Sequence, residues 1–192
     1  MNYRVYAFLI LFISFIFASF IFLKAYLNHQ KIIKYKEIVK EHGNQRLSSP
    51  SIYAVPQRNV IGRLVIPKIG LDCLIKETSV NDYNTVYHYP ESAGLGENGE
   101  CALLGHRTLF SGPFKRIGEL SPGDEVIVYD YTRSRKYIYV VVSNGEDIRW
   151  DYKNNPIRFE HGGEPRLLLI TCYPPGRKDA AWITHCILIK SY

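Results

Sequence analysis

The 192 residues carry a formal net charge of +6 and are 46% apolar, which allows one ordinary domain with something added. The 24 basic residues are spread along the chain without a basic-aromatic stripe or a nucleic-acid-binding motif, so the charge fits an anionic surface better than a nucleic acid. The 4 cysteines include no Cys-x-x-Cys pair and the histidines no His-x-x-x-His pair, which argues against a zinc site and a thioredoxin-like redox motif.

The addition comes first. Val5 to Leu23 holds no charge and is almost entirely Phe, Ile, Leu, Val and Ala, with Ser14 and Ser19 the polar exceptions beside Tyr6. As a helix it would rise roughly 28 Å, about the thickness of a bilayer's hydrocarbon core. Arg4 supplies the basic start of a secretory signal, but the run is longer than a signal core and no small-x-small site precedes Lys24. The expectation is an uncleaved transmembrane anchor over residues 5–23. Lys24, Lys31, Lys34 and Lys36 follow it, so a positive-inside count would keep the domain cytoplasmic, though long domains translocate largely regardless of charge. Residues 28–41 mix basic and apolar residues at helical spacing, and 43–56 are rich in Gly, Asn, Ser and Pro. Together, 28–56 read as a stalk and linker.

From about Ile61 the pattern changes. The runs RLVIP, LDCLIK, TVYHYP, CALLG, EVIVYDY, KYIYVVV, RLLLIT and WITHCILI are short, rich in Val, Ile, Tyr and Thr, and bounded by turn residues. Val126–Tyr131 and Tyr137–Val142 alternate most clearly and predict a hairpin across 132–136. One short helical piece is expected near Pro113–Leu120. Many short strands over 57–192 predict an all-β domain, a closed or nearly closed barrel that leaves few unpaired edges.

Two strand ends carry chemistry. In LLLITCYPPG an apolar run ends at Cys172, a thiol at the rim of a rigid element and open to a substrate. A thiol attacks a carbonyl as thiolate and needs a base or cation nearby. Of His88, His106, His161 and His185, His106 repeats the layout: the strand of ALLGHRTLFSGPF ends at Gly105, then His106, Arg107 and Thr108 follow. Cys73, Cys101 and Cys186 sit inside apolar runs and read as packing residues; a disulfide among them would be allowed outside the cell, but no pair can be selected.

The stretches IGRLVIPKIGLDCLIKE, VYHYPESAGLGENGECALLGHRTLFSGPFKRIGELSPGDEVIVY and LLLITCYPPG resemble the sortases, membrane-anchored cysteine transpeptidases, from about Ile61 to Ile189. The compact domain is similar to class D and E sortases. The resemblance implies an eight-stranded β-barrel with one or two short helices, Cys172 as nucleophile and His106 as the acid that protonates the leaving amine. It also implies contacts to substrate from Thr171 and Arg107. The implied reaction cleaves a carboxy-terminal sorting signal of a secreted protein through a thioester. An amine of the cell envelope then accepts the protein, outside the cell, on a single-pass membrane protein whose amino terminus is inside. No cofactor is implied, calcium being left open because some sortases bind it. One residue departs from the pattern: Ala181 stands where sortases carry an arginine that steadies the substrate backbone and the oxyanion. Arg177 is the expected replacement, with Lys178 beside it as the alternative. Loss of that arginine leaves a second reading, a sortase-like barrel that binds sorting peptides without processing them.

Overall fold

Alternation of apolar and polar residues builds the first strands. In β1 (Val60–Ile66) every second residue is buried, Leu64 and Ile66 completely. A single 3-10 turn at Pro67–Ile69, closed by Gly70 in the left-handed region (φ 63), returns the chain into β2 (Leu71–Lys76), antiparallel to β1. This is a computed structural model; it describes residues 59–192 together with Phe17, Ser19, Phe20, Phe22, Leu23, Tyr26 and Gln30 as isolated helical positions. Apart from those positions, the expected anchor over 5–23 and stalk over 28–56 lie outside the described residues. Among the described residues no helix is long and apolar enough to cross a membrane.

After β2, β3 (Thr85–His88) runs parallel to it and antiparallel to β4 (Gly99–Leu104). Then β5 (Glu125–Asp130) and β6 (Arg135–Arg149) form the expected hairpin. Its turn is tied down by buried Asp130, whose carboxylate accepts hydrogen bonds from the backbone N–H groups of Thr132 and Arg133 and from the Thr132 hydroxyl. Finally β7 (Pro165–Tyr173) lies parallel to β4, and β8 (Ala180–Ser191) bridges β7 and β6. The order β1-β2-β3-β4-β7-β8-β6-β5 closes on itself through β1 and β5, giving the closed eight-stranded barrel expected of the sequence.

Two details differ from expectation. The helical piece near Pro113–Leu120 is one 3-10 turn, Ile117–Glu119, and the only other helical element among the described residues of the barrel domain is the turn at Pro67–Ile69. Gly112, Pro113 and Gly118 leave no stretch long enough to nucleate an α-helix. β6 also continues past Val142 through polar residues to Arg149, bent by register shifts around Ser143–Asp147 with Gly145 at φ 82. A Cβ there would meet the Trp182 ring at 2.6 Å, so the bend needs glycine.

Two apolar clusters share the sheet. The barrel interior holds Leu64, Ile66, Ile75, Leu103, Leu167 and Leu169 among others. The second cluster, Ala102, Leu168, Ile170, Ala181 and Ile183, lies on the outer face of β4, β7 and β8 and is covered by Tyr89, Tyr152, Ile157 and Phe159. This is why RLLLIT has no polar alternation: both faces of β7 are buried, as parallel strands usually are.

Candidate active site

The outer cluster is incompletely covered, and the gap is a cleft of about 490 Å³. Its floor is the ends of β4 and β7. The parallel register sets Leu104 beside Ile170, and beyond the last pair the Gly105 N–H donates to the Ile170 carbonyl at 3.0 Å. The Thr171 hydroxyl, buried, donates to the Gly105 carbonyl at 2.7 Å. Thr171 thus fastens the two strand ends side by side, and His106 and Cys172 follow as the next residues, both lining the cleft. Gly105 is required for a steric reason: a Cβ there would lie 2.5 Å from the Phe114 ring.

His106 is buried and braced from several sides. Its Nε2 lies 2.9 Å from Asn81 Oδ1, a contact that a protonated Nε2 satisfies by donating to the amide oxygen. Its ring tilts against Phe110 at 5.0 Å, and Phe110 meets Tyr83 edge-on at 5.7 Å. The Asn84 N–H donates to the Ser111 hydroxyl at 2.9 Å, joining the loop after β2 to the loop after His106. No hydrogen bond directly joins the Cys172 and His106 side chains among the described residues. Burial first, then the positive charge of Lys178, holds the imidazole below its usual pKa and favours the neutral ring.

Cys172 is the one partly exposed thiol of the four; Cys73, Cys101 and Cys186 are buried and free. Burial pushes the Cys73 thiol up to about 12 and raises Cys101 and Cys186 as well. Across the cleft floor Ala181 is the register partner of Cys172, so no guanidinium stands there. Arg177 is not among the lining residues; it is exposed and pairs with Asp179 at 2.7 Å. Lys178 does line the cleft. Arg107 points elsewhere too, its guanidinium 5.0 Å from the Trp182 ring and 5.9 Å from that of Tyr173, with Nε and Nη1 buried and unpartnered.

The other histidines fall away from the cleft. His88 is buried between Glu77 and the Ala93 carbonyl, His185 pairs with Asp147 at 3.0 Å, and His161 bridges Gly99. Reasoning from sequence missed the cleft's walls: Val80 and Asn81 from the β2–β3 loop, and Tyr152, Ile157 and Phe159 from the β6–β7 loop. That second loop is moored by Glu100 of β4, whose carboxylate accepts the Glu160 N–H at 3.0 Å and whose own N–H donates to the Glu160 carbonyl at 2.8 Å. Among the described residues no group of three or more His, Cys, Asp or Glu side chains is placed to hold a metal ion.

A family model described as the Sortase domain matches residues 64–188. Sortase D of Bacillus subtilis (strain 168) is 35% identical over 116 residues, 59% of this chain and 54% of that protein, so the chain spans about half the length of this curated relative. A Clostridium perfringens sortase D5 transpeptidase superposes with a TM-score of 0.57 at 23% identity, covering 84% of this chain and 99% of that one. Sortase E1 from Streptomyces coelicolor, solved with a tripeptide in the active site, gives 0.56 at 22% identity over 69% of this chain and 90% of that one. Matched through nearly all of its barrel, and similar there to compact class D and E relatives, the chain belongs to the sortase family.

Proposed function

We propose that this chain is a membrane-anchored cysteine transpeptidase that cleaves a carboxy-terminal sorting signal and transfers the protein to an amine of the cell envelope. The observation that carries the reading is the convergence of Cys172 and His106, from neighbouring parallel strand ends, on one cleft. The cleft walls of Tyr89, Ile157, Phe159 and Ile170 suit an apolar side chain of an extended peptide. The tripeptide in the related sortase E1 supports a peptide occupant.

The chemistry follows from the neutral imidazole. His106 Nδ1 takes the Cys172 proton as sulfur bonds to the scissile carbonyl carbon, and the carbonyl oxygen becomes an oxyanion. Collapse breaks the C–N bond; His106 returns the proton to the departing amine, leaving a thioester on Cys172. An incoming amine loses a proton to His106 as it attacks, the C–S bond breaks, and the thiol is restored. Asn81 orients the ring by holding Nε2–H. Water in place of the amine makes the same site a peptidase. The segment at 5–23 anchors the enzyme in the cell membrane, amino terminus inside, with the barrel outside beside both substrates.

The test is mass spectrometry of the full chain after incubation with a peptide library and a panel of amines. The expected result is a peptide thioester on Cys172 that is consumed by one class of amine. Binding of peptides without any adduct at Cys172 would replace this reading with that of a sorting-peptide binder.

A further inference from the structure

A tetrahedral intermediate at Cys172 places a negative oxygen in a cleft whose walls are mostly apolar. An unbalanced oxyanion there is costly, and a positioned donor or cation lowers the barrier. The register removes one source, because the side chain facing Cys172 from β8 is the methyl group of Ala181. Arg177 is committed to Asp179 and stands outside the cleft. Arg107 is wedged against Tyr173 and Trp182.

Lys178 remains. It lines the cleft together with Cys172 and His106, and its positive charge is felt at the His106 imidazole. No carboxylate lies within salt-bridge distance of it among the described residues, whereas neighbouring Arg177 has one. Its backbone is placed by two contacts: the Arg177 N–H closes a turn onto the Pro174 carbonyl at 2.9 Å, and the Tyr152 hydroxyl donates to the Lys178 carbonyl at 3.4 Å. From this geometry we infer that Lys178 is a catalytic residue, its ammonium holding the carbonyl oxygen of the scissile peptide as the Cys172 thiol attacks. An ammonium is a point charge with three rotatable donors, so it can follow the oxygen as the carbon becomes tetrahedral, without the fixed fork of a guanidinium.

This inference rests on the acyl-transfer reading of the site, and the test separates the two. Two electrophiles are compared on the full chain. N-acetyl tetrapeptide aldehydes, selected from a library for reversible binding to the wild-type chain, add the thiol to form a hemithioacetal whose oxygen occupies the oxyanion position. Iodoacetamide alkylates the same sulfur by displacing iodide, with no oxyanion formed. Lys178→Met is expected to weaken aldehyde binding by something like the ~10²-fold cost of losing one oxyanion contact. Its Cys172 alkylation rate, compared at a pH well above the His106 limb, should stay near wild type. Lys178→Arg should recover most of the aldehyde affinity, and Arg177→Ala should match wild type throughout. If Lys178→Met binds the aldehyde as wild type does, the inference is wrong while acyl transfer at Cys172 stands. Equal losses with both electrophiles would overturn it as well, by showing that Lys178 acts on the thiol. If no aldehyde in the library engages Cys172 of the wild-type chain, the transpeptidase reading falls, and the role of Lys178 falls with it.

Discussion

The inside of the barrel and the outer face of β4, β7 and β8 are both apolar, yet they are finished differently. The interior is closed by the sheet itself, and its buried side chains pack on one another. The outer face depends on loops for its cover, with Tyr152, Ile157 and Phe159 arriving from between β6 and β7. A sheet can seal its interior with period-two alternation alone, but a loop cover is irregular and leaves a gap. The four cysteines record the contrast. Cys73, Cys101 and Cys186 point inward and are buried, with burial raising each thiol's pKa; Cys172, one residue past Thr171 on β7, lies in the gap. Which face a thiol occupies, and how near it is to a strand end, decides whether it opens on the cleft.

The largest expected effect tests that contrast directly. Cys172→Ala should abolish both thioester formation and transfer while leaving the melting temperature near that of wild type, since the partly exposed thiol carries little packing. Cys101→Ala should do the reverse, costing about 1 kcal/mol in chemical denaturation, the scale of one buried methyl-sized group, with turnover preserved. Acyl transfer surviving in Cys172→Ala would remove the contrast and the transpeptidase reading together.

Next comes the junction of the strand ends. Gly105→Ala places a Cβ 2.5 Å from the Phe114 ring, so either the ring or the strand end must shift. Overpacking of this kind costs about 1–3 kcal/mol. A displacement of the His106 backbone of only about 1 Å is enough to lower the rate on the order of 10²-fold. Stability by urea titration and the single-turnover acylation rate should therefore fall together. Wild-type acylation in a destabilised Gly105→Ala would show that the strand end is not what aligns His106.

The junction is also where sequence and structure part. All eight strands were readable, because turn residues bounded each run and alternation marked β5 and the start of β6. Cys172 and His106 were readable because each ends an apolar run at a turn. The uninterrupted LLLI of β7 was legible as an apolar strand, but nothing in it named the cover of its outer face. That cover comes from residues 152–159, a stretch without periodicity, held by a distant carboxylate at Glu100. Asn81 was invisible for the same reason: a polar residue in a loop acquires meaning only when the fold carries it across to His106. Arg177 and Lys178 are neighbours with the same charge, and only the turn closed on Pro174 separates the one facing Asp179 from the one facing the cleft.

Asn81 offers a smaller test. Asn81→Ala removes the amide that meets Nε2 of His106 but leaves the ring between Phe110 and the strand end. Acylation should fall about 10-fold, the factor corresponding to one neutral hydrogen bond of about 1–1.5 kcal/mol. Asn81→Asp should restore an acceptor and also place a negative charge beside the ring, favouring its protonated form. The two variants should therefore differ in the pH dependence of acylation as well as in rate. Identical profiles for both would mean that the contact is incidental.

The smallest effect expected is a displacement along the pH axis. If acylation begins with a neutral imidazole, kcat/KM should fall as pH drops through the pKa of His106, and that limb should lie below the usual histidine value of about 6.5. The sign follows from both causes: burial disfavours the imidazolium, and so does the charge of Lys178. The other ionisable side chains lining the cleft, Cys172, Tyr89 and Tyr152, are not among the causes of that shift. Lys178→Met removes the second cause and leaves the first, so the limb should move up without reaching the usual value. Gly105 and Asn81 are unchanged in that variant, so the shift reads charge separately from position. A limb above the usual histidine value in the wild-type chain would mean that an imidazolium is stabilised at rest, and the order of proton transfers would have to begin from the thiolate.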